Sequence, residues 1–307
     1  MLHMVLPLAT RLKPVQLRLV RAIHDSGKLQ LAAEAVNMTQ PAASRLLADI
    51  EAEVGAPLFD RHPRGMTPTA LGEAFVRHAQ VILAELDSLA AEVESLQSGK
   101  AGGVRVGSVT GPAVSALLPA LMKVRQVAPD IQPTIEVAPS TELMRGLEEG
   151  RFDFIIARIS PDSDARAYQA YPGRTEEVAL LVREGHPLTG RRVSLRDTID
   201  HEFVIQEPGS PIRLAFEQGF LENRIPMPER ITNSSSLLIA LSLVGQSDAI
   251  ATQTREVAQM LSGMGTGLST IDLDIGITVP PFLVIHSGKR KLTSVAQRLL
   301  DEVLRHL

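Results

Sequence analysis

Thr39-Gln40-Pro41-Ala42-Ala43-Ser44-Arg45-Leu46-Leu47-Ala48-Asp49-Ile50 is the stretch whose reading decides the fold of the first part of the chain. Ala43, Leu46, Leu47, Ile50 and Val54 follow the i, i+3, i+4, i+7 spacing, so they form one buried face of an amphipathic helix. The other face is small, polar and basic. It carries Gln40, Ser44 and Arg45, with Ala48 leaving clearance beside them. Pro41 stands in the first turn, where a missing N–H is tolerated. Such a face suits the major groove of DNA.

Upstream, Val15, Leu17, Leu19, Val20 and Ile23 predict a helix over 14–25, which Ser26-Gly27 ends. A short alanine-rich helix is expected over 29–36. Asn37-Met38-Thr39 then forms a turn, with an asparagine that tolerates the left-handed conformation. Two short helices, a tight turn and a polar-faced third helix make a helix-turn-helix, although a plain three-helix bundle has the same spacing. Downstream, Leu58-Phe59 is a buried-type pair, and Asp60-Arg61-His62-Pro63-Arg64-Gly65-Met66-Thr67-Pro68-Thr69 reads as a hairpin bounded by proline and glycine. Arg61 and Arg64 on such a wing would add salt-dependent phosphate contacts while the helix reads bases; a solvated basic loop is the plainer alternative.

In order and spacing, residues 39–69 resemble the LysR-type family of bacterial transcription regulators, with its pattern Thr/Ser-Gln-Pro-Ala-x-Ser-x-x-Ile-x-x-Leu-Glu-x-x-Leu-Gly-x-x-Leu-Phe-x-Arg. The resemblance places the DNA-facing positions on Thr39, Gln40, Pro41, Ser44 and Arg45 in the helix and on Arg61 and Arg64 in the wing. Departures are mild: Ile50-Glu51 replaces Leu-Glu, Val54 replaces Leu, and Thr67-Pro68-Thr69-Ala70-Leu71-Gly72 replaces Leu-Thr-x-x-Gly. None alters a DNA-facing side chain. Only Gln40, Ser44 and Arg45 are placed to reach base edges.

From Thr69 a long helix is expected, with Phe75, Ala79, Ile82, Leu86, Leu89, Val93 and Leu96 spaced alternately by four and three. That is a coiled-coil seam, which needs either a second subunit's helix or the chain's own first domain to bury it. Pairing would give a dimer able to hold two DNA half-sites, and the resemblance implies a homotetramer built from such dimers. Ser98-Gly99-Lys100-Ala101-Gly102-Gly103 ends the helix as a hinge.

Beyond the hinge, strands alternate with helices: strands over 104–109, 134–138, 152–159, 177–183, 202–206, 248–252 and 282–286, and helices over 112–127, 142–149, 212–221, 237–243, 257–261 and 294–306. Phe154-Ile155-Ile156-Ala157 is apolar on both faces, as in a parallel sheet covered by crossover helices. The resemblance implies an α/β multidomain fold: a winged helix-turn-helix over 1–68, a linker helix and hinge over 69–100, and an effector-binding domain over 101–307. The last would be two periplasmic-binding-protein-like α/β subdomains, I over 101–160 and 267–307 and II over 161–266, with a small-molecule effector between them.

Polar residues gather where strands enter helices, the usual place for ligands in open α/β sheets. Ser108, Thr110 and Gly111 stand before one helix, Ser140 and Thr141 before a second, Ser210 before a third, and Asn233 and Ser234 before a fourth. Helix capping alone would explain these residue types. As an effector site, helix N-termini with Arg158, and more weakly Arg213, would suit an anionic metabolite. A sugar would use the same hydroxyl and amide groups. Thr252 and Gln253 would line the hinge. Val106-Gly107-Ser108-Val109-Thr110-Gly111-Pro112 looks like a branch controlling sugar-uptake or aromatic-acid catabolic genes.

The 307 residues leave room for two or three domains, and a net charge of −4 argues against a wholly basic nucleic-acid binder. With no cysteine there is no disulfide, thiolate metal site or cysteine nucleophile. Met1 to Ala9 is apolar but lacks a basic leader and a cleavage site, and no run spans a bilayer, so a cytoplasmic protein without membrane contact is expected. An α/β enzyme and a small-molecule binding protein without DNA are the competing classes. For an enzyme, His-Glu-x-x-His and Gly-x-Ser-x-Gly are both absent, and Gly107-Ser108-Val109-Thr110-Gly111 has its serine one place early. Gly263-Met264-Gly265-Thr266-Gly267 follows a helix and has no phosphate-loop lysine. Asp162 and Asp164 could hold a cation only weakly, and no metal or cofactor is expected.

Overall fold

The computed structural model describes residues 12–98, 102–159, 168–288 and 290–307, without the side chains at 88, 91, 92 and 94–98. The expectations for the N-terminal stretch, for hinge residues 99–101, for a crossing near Ser160, for Asp162 and Asp164 and for the Leu96 side chain lie outside these. The chain divides into two compact units, the first grouping Arg145–Arg151 with the chain up to Gly102 and the second holding Gly103–Met144 and Phe152–Leu307, and each is described by itself.

The first unit contains α1 (Pro14–Ser26), α2 (Leu29–Ala35), α3 (Gln40–Val54), a hairpin of β1 (Phe59–His62) and β2 (Gly65–Pro68), and α4 (Ala70–Ser98). Gly27 ends α1 at φ 64°, and its N–H returns to the carbonyl of Ile23. Asn37 takes φ 55° in the turn, as its short polar side chain allows. The Thr39 hydroxyl accepts the Ala42 N–H at 3.4 Å and so caps α3, which Gly55 ends at φ 82°. Ala43, Leu47 and Ile50 are fully buried with Leu19, Val20, Ile23, Ala32, Leu58 and Phe59, and Leu46 and Val54 pack partly against them.

The expected seam of α4 divides. Ala79 is buried with Leu83 against Leu17 of α1, and Phe75 packs on the same cluster. This end therefore docks on its own domain, because α1 turns Leu17 outward from the three-helix core. Ile82, Leu86, Leu89 and Val93 stay 44, 38, 57 and 42% exposed, so the uncovered seam begins at Ile82.

The second unit holds two sheets. The first has the order β4-β3-β5-β14-β6, from β3 (Gly103–Ser108), β4 (Gln132–Val137), β5 (Phe154–Ala157), β6 (Tyr168–Pro172) and β14 (Leu283–Ser287). The second runs β10-β9-β11-β7-β12-β8, with β13 also on β7: β7 (Glu176–Arg183), β8 (Arg192–Val193), β9 (Phe203–Ile205), β10 (Ile231–Asn233), β11 (Ile250–Thr254), β12 (Leu268–Leu273) and β13 (Thr278–Val279). In each sheet three neighbouring strands are parallel, β4-β3-β5 and β10-β9-β11.

The strands revise the expected subdomain limits. β6 lies in the first sheet, paired to β14 from Leu283↔Pro172 to Ser287↔Tyr168, and β12 and β13 remain in the second on β7. The crossings therefore fall between Pro172 and Glu176 and between Val279 and Leu283. They run side by side, with the Gly173 N–H on the Phe282 carbonyl at 2.9 Å. A Cβ on Gly173 would sit 2.5 Å from the Phe282 ring, so only glycine lets the two crossings close on each other.

The helices are α5, α6 (Ser140–Glu148), α7 (Pro211–Glu222), α8 (Leu237–Gln246), α9 (Arg255–Gly263) and α10 (Ser294–Arg305). The expected helix over 112–127 is α5, which begins as an α turn over Thr110–Pro112, widens to a π-helix over Ala113–Leu117 and resumes over Leu118–Arg125. The Leu118 N–H reaches back five residues to the Ala113 carbonyl, and Pro119 has no N–H to continue a regular ladder. Along β7, Val178, Leu180 and Val182 face Phe216 and Phe220 of α7, while Ala179 and Leu181 face α8 and α9. Both faces are covered, which explains the near-continuous apolar run. No described helix is long and apolar enough to cross a membrane.

Candidate functional site

On the first unit, Gln40, Pro41, Arg45 and Ala48 are exposed and Ser44 is half-buried, so the polar face of α3 is open from its first turn. Thr39 is exposed beside them, with its hydroxyl engaged as the cap. Arg61, His62, Pro63 and Arg64 are all exposed on the hairpin, where Arg61 faces Met66 and His62 faces Gly65 across the strands.

Three residues outside the expected DNA-facing set hold the hairpin in place. Glu51 Oε1 accepts the N–H groups of Leu58 and Phe59 at 2.8 and 3.3 Å, tying the end of α3 to the base of β1. Gly65 has φ 145°, and a Cβ there would lie 2.4 Å from the Gly27 carbonyl, which itself accepts the Met66 N–H at 2.8 Å. The wing is thus clipped to the end of α1 at a point only glycine permits. Gly72 lies under the Leu58 carbonyl, where a Cβ would come within 1.9 Å. Lys28, also passed over, is exposed beside Gly65. A surface concavity of about 660 Å³ between α1 and α2, lined by Val15, Arg18, Arg21, Leu31 and Asn37 among others, contains no residue expected to bind a ligand.

On the second unit, the parallel strands bring the predicted residues to two carboxyl edges. At the first sheet, the Ser140 hydroxyl accepts the Arg158 N–H at 3.1 Å, and the Val109 N–H bonds the Ile156 carbonyl at 3.0 Å, so the ends of β3 and β5 and the start of α6 adjoin. Thr110 and Thr141 are exposed there. At the second sheet, the Ser210 hydroxyl accepts the Arg213 N–H at 3.3 Å and caps α7. The Ser234 N–H bonds the Ile205 carbonyl at 2.8 Å, and its hydroxyl accepts the Ser236 N–H at 3.2 Å. Asn233 is exposed.

Four expectations change. Ser108 is fully buried and donates to the Val109 carbonyl at 2.9 Å, so its hydroxyl faces the interior. Thr252 is also fully buried; it donates to Gln206 Oε1 at 3.1 Å while Gln206 Nε2 returns to the Thr252 carbonyl at 3.0 Å, a lock between the ends of β9 and β11. Arg158 is no free charge: its Nη2 bonds Glu176 Oε2 at 2.5 Å and its Nε the Pro280 carbonyl at 2.8 Å. Arg213 donates through Nε to Glu217 and through Nη1 to Asn233 Oδ1 at 2.8 Å.

The two edges meet at Gly111, which is buried. A Cβ there would be 1.9 Å from Glu176 Oε1 and 2.9 Å from Thr254 Oγ1. Glu176, missed from sequence, is 3% exposed; its one signal was a carboxylate adjoining an otherwise apolar strand. Burial pushes its carboxyl above the usual range, outweighing the bond and charge of Arg158, and the nearby charge of Glu256 acts in the same direction as burial. Among the described residues no group of three His, Asp or Glu side chains is arranged to hold a metal.

Residues 14–73 match the bacterial regulatory helix-turn-helix protein, lysR family, and residues 97–307 match the LysR substrate binding domain. The chain is 39% identical over 250 residues to the HTH-type transcriptional regulator GbpR of Rhizobium radiobacter, covering 80% of this chain and 83% of the relative. It is 32% identical over 295 residues to the HTH-type transcriptional regulator GbpR of Azospirillum brasilense, covering 95% and 86%. Its fold is similar to that of CbnR, a LysR family transcriptional regulator, with a TM-score of 0.68 at 21% identity over 96% of this chain and 99% of that one. A structure of full-length CbnR complexed with its target DNA also gives 0.68, at 20% identity over 96% and 100%. With both of its units matched, and with relatives that are regulators rather than enzymes, the chain belongs to the LysR family of DNA-binding transcription regulators.

Proposed function

We propose that the chain binds double-stranded promoter DNA through α3 and the wing, and that a small-molecule effector in the cleft between the two sheets modulates that binding. Gln40, Ser44 and Arg45 reach base edges, Thr39 and Pro41 set the first turn of α3 against the backbone, and Arg61 and Arg64 contact phosphate. Lys28, beside the wing, joins the phosphate contacts. The observation that carries this reading is the open polar face of α3 next to a hairpin whose exposed tip holds two arginines. The protein acts in the cytoplasm, where its DNA is.

The domains we assign are the winged helix-turn-helix over 1–68, the linker over 69–100 and the effector domain from 101. Within the last, β6 and β14 go with subdomain I, and β12 and β13 with subdomain II. Ile82, Leu86, Leu89 and Val93 form the surface through which two copies pair, because four large apolar side chains at that spacing need a partner helix. Pairs of dimers complete a homotetramer. The accessible effector contacts are Thr110, Ser140, Thr141, Ser210, Asn233 and Ser234; Gly111, Ser108, Arg158 and Thr252 support them from behind. Effector binding shifts the population of the oligomer's arrangements and so changes the spacing of its DNA-binding units.

The test is DNA selection followed by gel shift on the full chain. Ser44→Ala and Arg45→Ala should each lose discrimination between the selected site and random DNA while unfolding of the effector unit is unchanged. Undiminished sequence-specific shifts in both variants would defeat the assignment.

A further inference from the structure

We propose that the effector is an uncharged, polyhydroxylated molecule of the sugar or sugar-alcohol class; this rests on the reading of the two carboxyl edges as its site. The first observation concerns charge. The two arginines that the sequence offered to an anion, Arg158 and Arg213, are both committed within the chain, and Arg174, exposed at the crossing, has its charge acting on Glu176. Arg158, 14% exposed, is held by Glu176, which is 3% exposed. An incoming carboxylate or phosphate would have to draw Arg158 away and strand Glu176 in the interior without its counter-charge, which buried ion pairs resist strongly. Arg213, 11% exposed, is held by Glu217 and by Asn233. The starts of α7 and α8 are already capped, by Ser210 and by Ser236, while that of α5 has no side-chain cap.

The second observation is independent of charge and concerns hydrogen-bond demand. Among the described residues, the buried side-chain atoms without a partner are Glu176 Oε1, Thr254 Oγ1 and Glu256 Oε2. All are oxygens, and all belong to the junction of the two edges: Glu176 Oε1 and Thr254 Oγ1 converge on Gly111, and the charge of Glu256 acts on Glu176. Two of the three are carboxylate oxygens, which accept and, while ionised, cannot donate. An anionic ligand brings further acceptors and further negative charge to this place. A hydroxyl group brings a donor and an acceptor together, matching both the unmet oxygens and the neutral groups along the edges, Thr110, Thr141, Asn233 and Ser234. Each added hydroxyl that such a site satisfies is also a basis for strong discrimination against analogues that lack it.

The experiment uses the full chain in a thermal-unfolding titration with D-glucose, D-galactose, D-xylose and sorbitol, against gluconate, galacturonate, benzoate and phosphate. It is run at low and at high sodium chloride, and repeated with Ser234→Trp and Thr141→Trp, which fill opposite edges; Thr141 is exposed, so that variant retains the fold. At least one neutral compound should raise the midpoint of the effector unit saturably, by about 5 °C or more at a hundredfold excess over its Kd. The shift should be the same at both salt concentrations and be lost in both tryptophan variants. Stabilisation by the anions alone, weakened by salt and abolished by the tryptophans, would overturn the ligand class and leave the cleft intact. A shift of either class that survives both tryptophans would overturn the cleft itself. No shift with any neutral compound also overturns the proposal.

Discussion

Replacing Gly72 by alanine sets two physical effects against each other. Gly72 is in the first turns of α4, and helix propensity alone favours alanine over glycine by about 1 kcal/mol. The added Cβ, however, would stand 1.9 Å from the Leu58 carbonyl oxygen and 3.0 Å from its carbon. A carbon–oxygen contact needs ~3.3 Å, so backbone must move by more than ~1 Å. Leu58 is fully buried, and its carbonyl accepts from the Thr69 N–H at 2.9 Å and from the Thr69 hydroxyl at 3.3 Å. That hydroxyl in turn accepts the N–H of residue 72 at 3.0 Å. Overpacking costs about 1–3 kcal/mol and each disturbed hydrogen bond about 1 kcal/mol, so with two bonds at stake the net loss after propensity is about 2–4 kcal/mol. For a unit of this size that lowers the midpoint by about 10–25 °C. Scanning calorimetry of the full chain should show the DNA-binding unit's transition falling while that of the effector unit holds. DNA affinity should fall with it, because Leu58 leads directly into the wing. An unchanged or raised transition would show that propensity wins and that Leu58 yields freely, and the argument for a fixed wing would collapse.

Arg61→Ala and Arg64→Ala should each weaken binding to every DNA sequence and flatten the log–log salt dependence by about one counterion; an unaltered slope removes that arginine from the phosphate contacts. Leu89→Glu, or Leu86→Glu, should halve the mass of the assembly seen by sedimentation, since it would bury a charge in the α4 seam. Wild-type sedimentation of both would exclude pairing there. His186 gives a pH prediction. It is 2% exposed, donates from Nε2 to the Asp248 carbonyl at 3.2 Å and accepts the Leu188 N–H on Nδ1 at 3.2 Å. Burial, with the backbone bond acting against it, holds its pKa below 6.5. The unfolded chain therefore takes up the proton first, so this contribution is complete above pH 6.5 and declines as pH falls below it. His186→Phe should flatten the fall in unfolding free energy between pH 7 and 5, measured by denaturant titration, and an equally steep fall in the variant would assign it elsewhere.

The first unit was largely legible because its information is local. The spacing of Ala43, Leu47 and Ile50 and the left-handed positions at Gly27 and Asn37 each involve residues within a few places of one another. The second unit hid more. β6 went unseen because an edge strand such as Tyr168–Pro172, exposed along most of its length, carries little apolar alternation. The seam was read as one stripe because spacing cannot show which end of α4 the outward-turned Leu17 already covers. Arg158 and Arg213 looked like ligands for a related reason: Glu176 and Asn233 lie 18 and 20 residues away and only the folded sheets and helices bring them together, whereas the pairing of Arg213 with Glu217, four places on in an expected helix, was open to reading. Glu51, Gly65 and Gly72 act on backbone groups of distant residues, so their places in the pattern do not show what they hold.

The paired crossings at Gly173 and Phe282 have a mechanical consequence. A single strand joining two bodies lets them swing and also twist. Two strands fastened together, as the Gly173–Phe282 contact fastens these, would resist twisting as a door on two pins does and leave rotation about one axis as the soft motion. A molecule settling between the sheets then works against a device with essentially one degree of freedom. Its binding energy would then set a single angle between the two sheets.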